Sequence, residues 1–289
     1  MTLRQVYTVR SMGDRDSTEP NLAVFCDYEN VALGAKDASY AAFDIQLVIE
    51  RLLDKGKVVV KKAYADWSRY EAAKRPLHEA AFELIEIPHV SYSGKNSADI
   101  RLVVDALDLC YAKSHVGVFV VVSGDSDFSP LVSKLRENDK RVIGVGVKNS
   151  SSKLLIENCD EFIYYDDLVR EQRKRIDRDH KPARASRQRK AAKKPSEPQS
   201  AKETEGLKEE ALDHVLATAE ALFRDRDSRL FGSEIKQTLK RKRPEFSEVF
   251  HGYRNFNELL EDAQRRGLLQ LQKHEPSGGY IVVGLEEDA

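Results

Sequence analysis

The run Val118-Phe-Val-Val-Val122 is apolar at every position and then breaks, without transition, into Ser123-Gly-Asp-Ser-Asp127. A strand that is apolar on both faces must be covered on both faces, which restricts the surrounding fold to a sheet held between layers. Two carboxylates at the carboxyl end of such a strand project into the crevice where open parallel sheets bind ligands. The pattern occurs a second time, where Leu22-Ala-Val-Phe-Cys26 ends in Asp27-Tyr-Glu-Asn30. Between the two, Ser97-Ala-Asp99 opens a strongly apolar helical stretch from Ile100 to Cys110. Carboxylates gathered at one rim repel one another unless a cation answers them, and hard divalent ions take oxygen ligands.

The rest of the chain supports a layered α/β reading. Short β-branched runs at 22–27, 57–65, 83–87, 117–122, 141–147 and 161–165 alternate with helical patterns near 43–54, 69–81, 98–113, 128–138 and 151–157. Alternation of this kind predicts a central parallel sheet covered by helices on both sides. Residues 1–20 are polar and aperiodic, and read as a loose tail.

From 170 to 205 the composition changes to Arg and Lys with interspersed Pro and almost no large apolar residue, as expected of a basic flexible linker. Helical patterns over 208–224, from Ser233 to just before Pro244, and over Phe256–Arg266 follow; Leu268–Leu271 and Tyr280–Val283 then flank a glycine turn. Three helices and a hairpin predict a small winged-helix domain over 206–284.

Net charge is −1, from 47 basic and 48 acidic residues, so only the distribution of charge speaks about partners. A single-sign run between two folded units suits a polyanion better than mere solvation. Cys26, Cys110 and Cys159 are far apart in apolar contexts and have no zinc-like spacing, as expected of reduced thiols in a cytoplasmic protein. No apolar signal segment or bilayer-length run is seen, so no membrane association is expected.

Asp27, Asp99, Asp125 and Asp127 together suit an Mg²⁺ or Mn²⁺ site acting on a phosphodiester. Asn30 is placed to position substrate or water, and Ser123 to support the metal shell. Each residue also has a structural reading. Asp99 complements a helix dipole, Asp125 closes an Asx turn, and Asp127 caps the helix after Phe128. Asp27, following an apolar strand, has no comparable structural account. Asp105 lies about 120° around the helix from Asp99 and either supports the site or pairs with a base. Lys95 is placed to approach a scissile phosphate, unless it belongs to an exposed Gly-Lys-Asn loop. Tyr64 and Trp67 read as core aromatics before they read as base-stacking ones.

Asp27-Tyr-Glu-Asn30, Lys95-Asn-Ser-Ala-Asp99 and Ser123-Gly-Asp-Ser-Asp-Phe128 resemble the motifs of NYN domains, the LabA-like branch of the PIN-like nuclease superfamily, over about 22–169. The resemblance implies a PIN-like α/β/α sandwich, with the nuclease domain over 21–169, and a metal-dependent ribonuclease. By motif position it makes Asp27, Asp99, Asp125 and Asp127 the metal-binding acids, with Asn30 and Ser123 beside them. Where family members often carry a Gly and an apolar residue before the helix acid, this chain has Ser97-Ala98.

The C-terminal part is similar to OST-HTH/LOTUS domains at Phe231-Gly-Ser-Glu-Ile235, Pro244-Glu-Phe246, Gly252-Tyr-Arg-Asn-Phe256 and Gly279-Tyr-Ile-Val. That similarity implies an RNA-binding module. The residues agree in part, since Lys236, Lys240, Arg241, Lys242 and Arg243 cluster near one helix end as phosphate contacts would. Tyr253 and Arg254 are placed to stack on or contact a nucleotide, unless Tyr253 is a structural tyrosine of its turn and the nearby lysines are merely solvated.

Three functions compete. The first is a metal-dependent endoribonuclease whose linker and second domain hold RNA. The second is a catalytically silent RNA-binding regulator on the same fold, which the complete acid set argues against. The third is a phosphoryl-transfer enzyme on a similar sheet. A haloacid-dehalogenase-type phosphatase needs an Asp where this chain has Glu29, and Toprim enzymes begin from a Glu-bearing strand. Oligomeric state is open, a homodimer included.

Overall fold

Six strands form one parallel sheet: β1 (Asn21–Asp27), β2 (Lys57–Ala65), β3 (Glu83–Glu86), β4 (Val116–Val122), β5 (Arg141–Gly146) and β6 (Glu161–Tyr164). The computed structural model describes residues 19–87, 97–179, 199–225, 229–274 and 278–285. The two apolar runs are the central neighbours, β1 and β4, paired from Asn21 against Val116 to Cys26 against Val122. Leu22, Val24, Cys26, Val118, Val120 and Val122 pack on one face of the sheet, and Ala23, Phe25, Phe119 and Val121 on the other. Each large aliphatic or aromatic side chain so buried contributes about 1.5–3 kcal/mol.

The strand order is β3-β2-β1-β4-β5-β6. The chain runs outward from β1 to β3, crosses back to β4 beside β1, and then runs outward again to β6. That reversal makes the carboxyl ends of β1 and β4 the switch point, where neighbouring connections leave in opposite directions and open a crevice.

Seven helices accompany this sheet among the described residues: α1 (Tyr28–Asp37), α2 (Ile45–Leu53), α3 (Glu71–Glu79), α4 (Ser97–Ala112), α5 (Ser129–Glu137), α6 (Lys153–Asn158) and α7 (Tyr165–Asp179). Five match the expected helices closely. The sequence pattern does not predict α1. It starts directly after β1, buries only Tyr28, Val31, Gly34 and Ala35, and carries a glycine in its interior, so its helical signal is weak.

Beyond the sheet, α8 (Gln199–Asp225), β7 (Leu230–Phe231), α9 (Gly232–Lys242), α10 (Phe256–Arg265), β8 (Leu269–His274) and β9 (Gly279–Leu285) surround a third core. The strands form an antiparallel sheet in the order β7-β9-β8. Two-residue β7 is too short to show any alternation in sequence. The expected linker at 170–205 is helical at both ends, where α7 reaches Asp179 and α8 opens at Gln199; residues 180–198 and most of the expected N-terminal tail lie outside the described residues.

The second unit meets the sheet at β6, where the Phe162 N–H donates to the Pro244 carbonyl at 3.0 Å. Lys240 lies 3.8 Å from buried Glu161, which also accepts from Lys55 at 2.6 Å and Arg141 at 2.8 Å. All three cysteines are buried free thiols. No described helix is long and apolar enough to cross a membrane.

Candidate functional site

Asp27 ends β1 and caps α1, its carboxylate accepting from the Asn30 N–H at 3.4 Å. Its other oxygen accepts from the Ser123 hydroxyl at 2.9 Å, across 96 positions of sequence. Ser123 is fully buried at the end of β4, and its oxygen in turn accepts from the Asp125 N–H at 3.2 Å. The Asn30 side-chain carbonyl accepts from the Gly124 N–H at 2.8 Å. These bonds tie the two strand ends into one unit: Asn30 and Ser123 hold Asp27 against the Ser-Gly-Asp turn.

Gly124 is required there by close approach. A Cβ at this position would stand inside the van der Waals envelope of the Ser150 carbonyl oxygen and 3.0 Å from the Ser151 Cα. The Ser152 N–H also donates to the Gly124 carbonyl at 2.8 Å, so this neighbouring backbone is pinned in place.

Asp125 caps the 3-10 turn Ser126–Phe128 by accepting from the Asp127 N–H at 3.0 Å. The Asx-turn reading of Asp125 therefore holds, alongside its place at the rim. Asp127 is exposed. Asp99, in the first turn of α4, is half-buried and near enough to Asp125 and Asp127 to feel their charges.

The acids charge at one another's expense. Burial, then Asp99, and more weakly Asp125 push the Asp27 carboxyl up to about 7, against the opposing Ser123 and Asn30 hydrogen bonds. Burial, then Asp125, Asp127 and Glu29, raise Asp99 to about 6. A divalent cation suits this set in donor chemistry, since all its ligands are oxygens, and in charge, since it would relieve the repulsion. Among the described residues, however, no three acidic, histidine or cysteine groups already enclose a position for one ion. The acids share a rim without forming a finished cage.

A folded carboxyl with a raised pKa holds its proton where the unfolded chain has lost it. Its stabilising contribution is complete below about 4, the unfolded value, and is lost as pH rises through about 7. With chelator present, Asp27→Asn is therefore expected to gain stability over the parent as pH rises from 4 to 8, by on the order of 4 kcal/mol. Urea denaturation of both proteins across that range checks it; a constant difference between them would refute the coupling.

Two acids with no sequence-predicted role, Glu29 and Asp66, also lie at this edge. Glu29 accepts from the Asp66 N–H at 2.9 Å and sits 3.9 Å from Arg69. Asp66, buried just past β2, accepts from the Ser68 N–H at 3.1 Å. The signal for both was available, because each directly follows or closely trails a predicted strand. Asp105 takes the ion-pairing alternative: burial raises its pKa, but Tyr64, Lys62 and Arg101 outweigh burial and hold it below its usual value. Tyr64 and Trp67 are core residues.

The residues expected to hold nucleic acid divide. Arg241, Lys242, Arg243 and Arg254 are exposed. Lys236 pairs with Glu248 at 2.5 Å, and Lys240 faces Glu161. Tyr253 is buried and its hydroxyl donates to Asp262 at 2.8 Å, so its ring belongs to the core of the second unit and is not presented to a base. Lys95 lies outside the described residues.

A family model for the NYN domain matches residues 21–166, which span the whole six-stranded sheet. Among solved structures, a protein of unknown function from Vibrio parahaemolyticus is 26% identical; the alignment covers 54% of this chain and 98% of that one, with a TM-score of 0.48. No curated protein matches.

Proposed function

Because the chain belongs to the NYN domain family, with its PIN-like nuclease fold, we propose that it is a metal-dependent endoribonuclease acting on RNA phosphodiester bonds at the β1/β4 crevice. The observation that carries this reading is a chain of carboxyls on separate elements: burial and then Asp99 raise Asp27, and burial and then Asp125 and Asp127 raise Asp99. Structural carboxylates ordinarily gain a basic partner, as Asp105 does; Asp27 and Asp99 are instead raised by burial and by neighbouring acids at the carboxyl end of the sheet.

Asp27, Asp99, Asp125 and Asp127 would hold Mg²⁺ or Mn²⁺. Such an ion supplies charge stabilisation for the phosphate and a bound water of lowered pKa. The chain's own residues do the rest. Ser123 and Asn30 are positioning residues that keep Asp27 in one orientation, and Gly124 lets the turn lie flat against its neighbours. Cations from the second unit hold the RNA backbone, an attraction that carries no sequence information and weakens with salt.

The order of α8, β7, α9, α10 and the β8–β9 hairpin supports reading the second unit, about 206–284, as a winged-helix module of the OST-HTH/LOTUS kind. Replacing Arg241, Lys242 and Arg243 together by alanine should leave cleavage chemistry intact. It should flatten the slope of log affinity for single-stranded RNA against log salt by about 2, at ~0.7 per lost phosphate contact. An unchanged slope in a salt titration would assign this unit to another partner.

Catalytically silent RNA binding is the competing reading, favoured by the lack of a closed three-acid cage among the described residues. One experiment separates the two. The purified chain is incubated with labelled single-stranded RNA, DNA and a phosphomonoester, with Mn²⁺ or with chelator. Nuclease function requires RNA cleavage that chelator abolishes, with little phosphomonoester turnover. RNA binding without cleavage under every metal condition selects the silent regulator.

A further inference from the structure

Helix α4 buries Leu102, Ala106 and Cys110 against the sheet and leaves an apolar stripe on its opposite side. Ile100, Val104 and Tyr111 are 61%, 55% and 66% exposed. At about 100° per residue these three side chains fall within roughly 40° of one another around the axis. Scattered exposed hydrophobics are ordinary on any surface, but a continuous helical stripe more than two turns long marks a contact face.

The charges beside the stripe indicate what covers it. Arg101 and Asp108 are seven residues apart, both exposed, and lie on the same flank. A twofold axis that sets two such helices antiparallel brings like flanks together, so Arg101 of each copy faces Asp108 of the other. Within the chain Arg101 donates through Nε to Asp105 at 3.0 Å, and its terminal nitrogens have no hydrogen-bond partner among the described residues. Asp108 forms no ion pair among the described residues. The apolar stripe offers nothing to a phosphate backbone, which disfavours nucleic acid as its occupant.

We propose that α4 is a self-association face: two copies of this chain pair α4 against α4, antiparallel and crossing near Val104. The register that faces Arg101 with Asp108 sets the partner's Tyr111 level with Ala98, one residue from Asp99, so each copy walls the outer approach to the other's carboxylate rim. The proposal stands on the surface of α4 and does not depend on the nuclease reading.

Light scattering coupled to size-exclusion chromatography of the full chain tests it. The expected mass is twice 32.8 kDa. Val104→Glu and Arg101→Asp should each weaken the dimer by about 100-fold or more in Kd. Combining Arg101→Asp with Asp108→Arg should restore it, because the pair is then reversed and not removed. Unchanged circular dichroism shows that each variant is folded. A parent that is monomeric across the accessible concentration range overturns the proposal. So does a dimer indifferent to Val104→Glu, or one that the double reversal fails to restore.

Discussion

Asp125→Asn is expected to lower RNA cleavage by about a thousand-fold while leaving RNA affinity unchanged or improved. The magnitude is that of removing one electrostatic contributor from a preorganised site. The substitution is clean because the cap survives: an asparagine carbonyl can accept from the Asp127 N–H as the Asp125 carboxylate does at 3.0 Å. What disappears is one negative charge. That charge helps to raise both Asp99 and Asp27, so both carboxyls should titrate lower in the variant. Single-turnover cleavage and filter binding on the same preparation measure the two effects. Full cleavage in the variant would remove Asp125 from the machinery and with it the metal-site reading of the turn.

Gly124→Ala is expected to cost about 1–3 kcal/mol of stability and at least about 100-fold in cleavage. The added methyl meets the Ser150 carbonyl and the Ser151 backbone, not a side chain that could swing away. Relief requires the turn or its neighbour to shift. Either movement strains the bonds from Gly124 N–H to Asn30 and from Ser152 N–H to Gly124. Ser123 and Asp125 flank the glycine, so the displacement passes directly to the acids. Gly117→Ala is the matched control, since a Cβ there has nothing within 4 Å and should be silent. Thermal denaturation and cleavage rates of the two variants, side by side, test the claim. Equal behaviour would mean that the turn tolerates movement.

The two predictions probe different links. Asp125→Asn removes charge and keeps geometry, whereas Gly124→Ala keeps every charge and moves the geometry. An enzyme of the proposed kind should lose activity in both, and only the second should lose stability.

Much of the sheet was legible in sequence because its signals are local. A run such as Val118–Val122, apolar at every position, has no solvent-compatible face, and its abrupt end at Ser123 is a local composition change. The same holds for Leu22–Cys26 and for the apolar helix from Ile100. Helix α1 was not legible, because burial of a few small residues behind an interior glycine leaves almost no periodic trace. Tyr253 was left between two readings for a related reason: an aromatic beside an arginine looks the same in sequence whether its hydroxyl meets a base or, as here, a buried Asp262.

By itself, the order of residues along this chain determined which segments are strands, which strands are buried on both sides, and that acids stand at the ends of two of them. It could not determine that those two strands are neighbours. That depends on the crossover that inserts β4 beside β1, a pairing stabilised by contacts between residues nearly a hundred positions apart. Only the folded chain brings Ser123 to Asp27 and Asn30 to Gly124, and only there do burial and neighbouring acids raise the Asp27 and Asp99 carboxyls. Periodicity reports the environment of one segment at a time, whereas repulsion between carboxylates depends on distance through space, which tertiary packing alone sets.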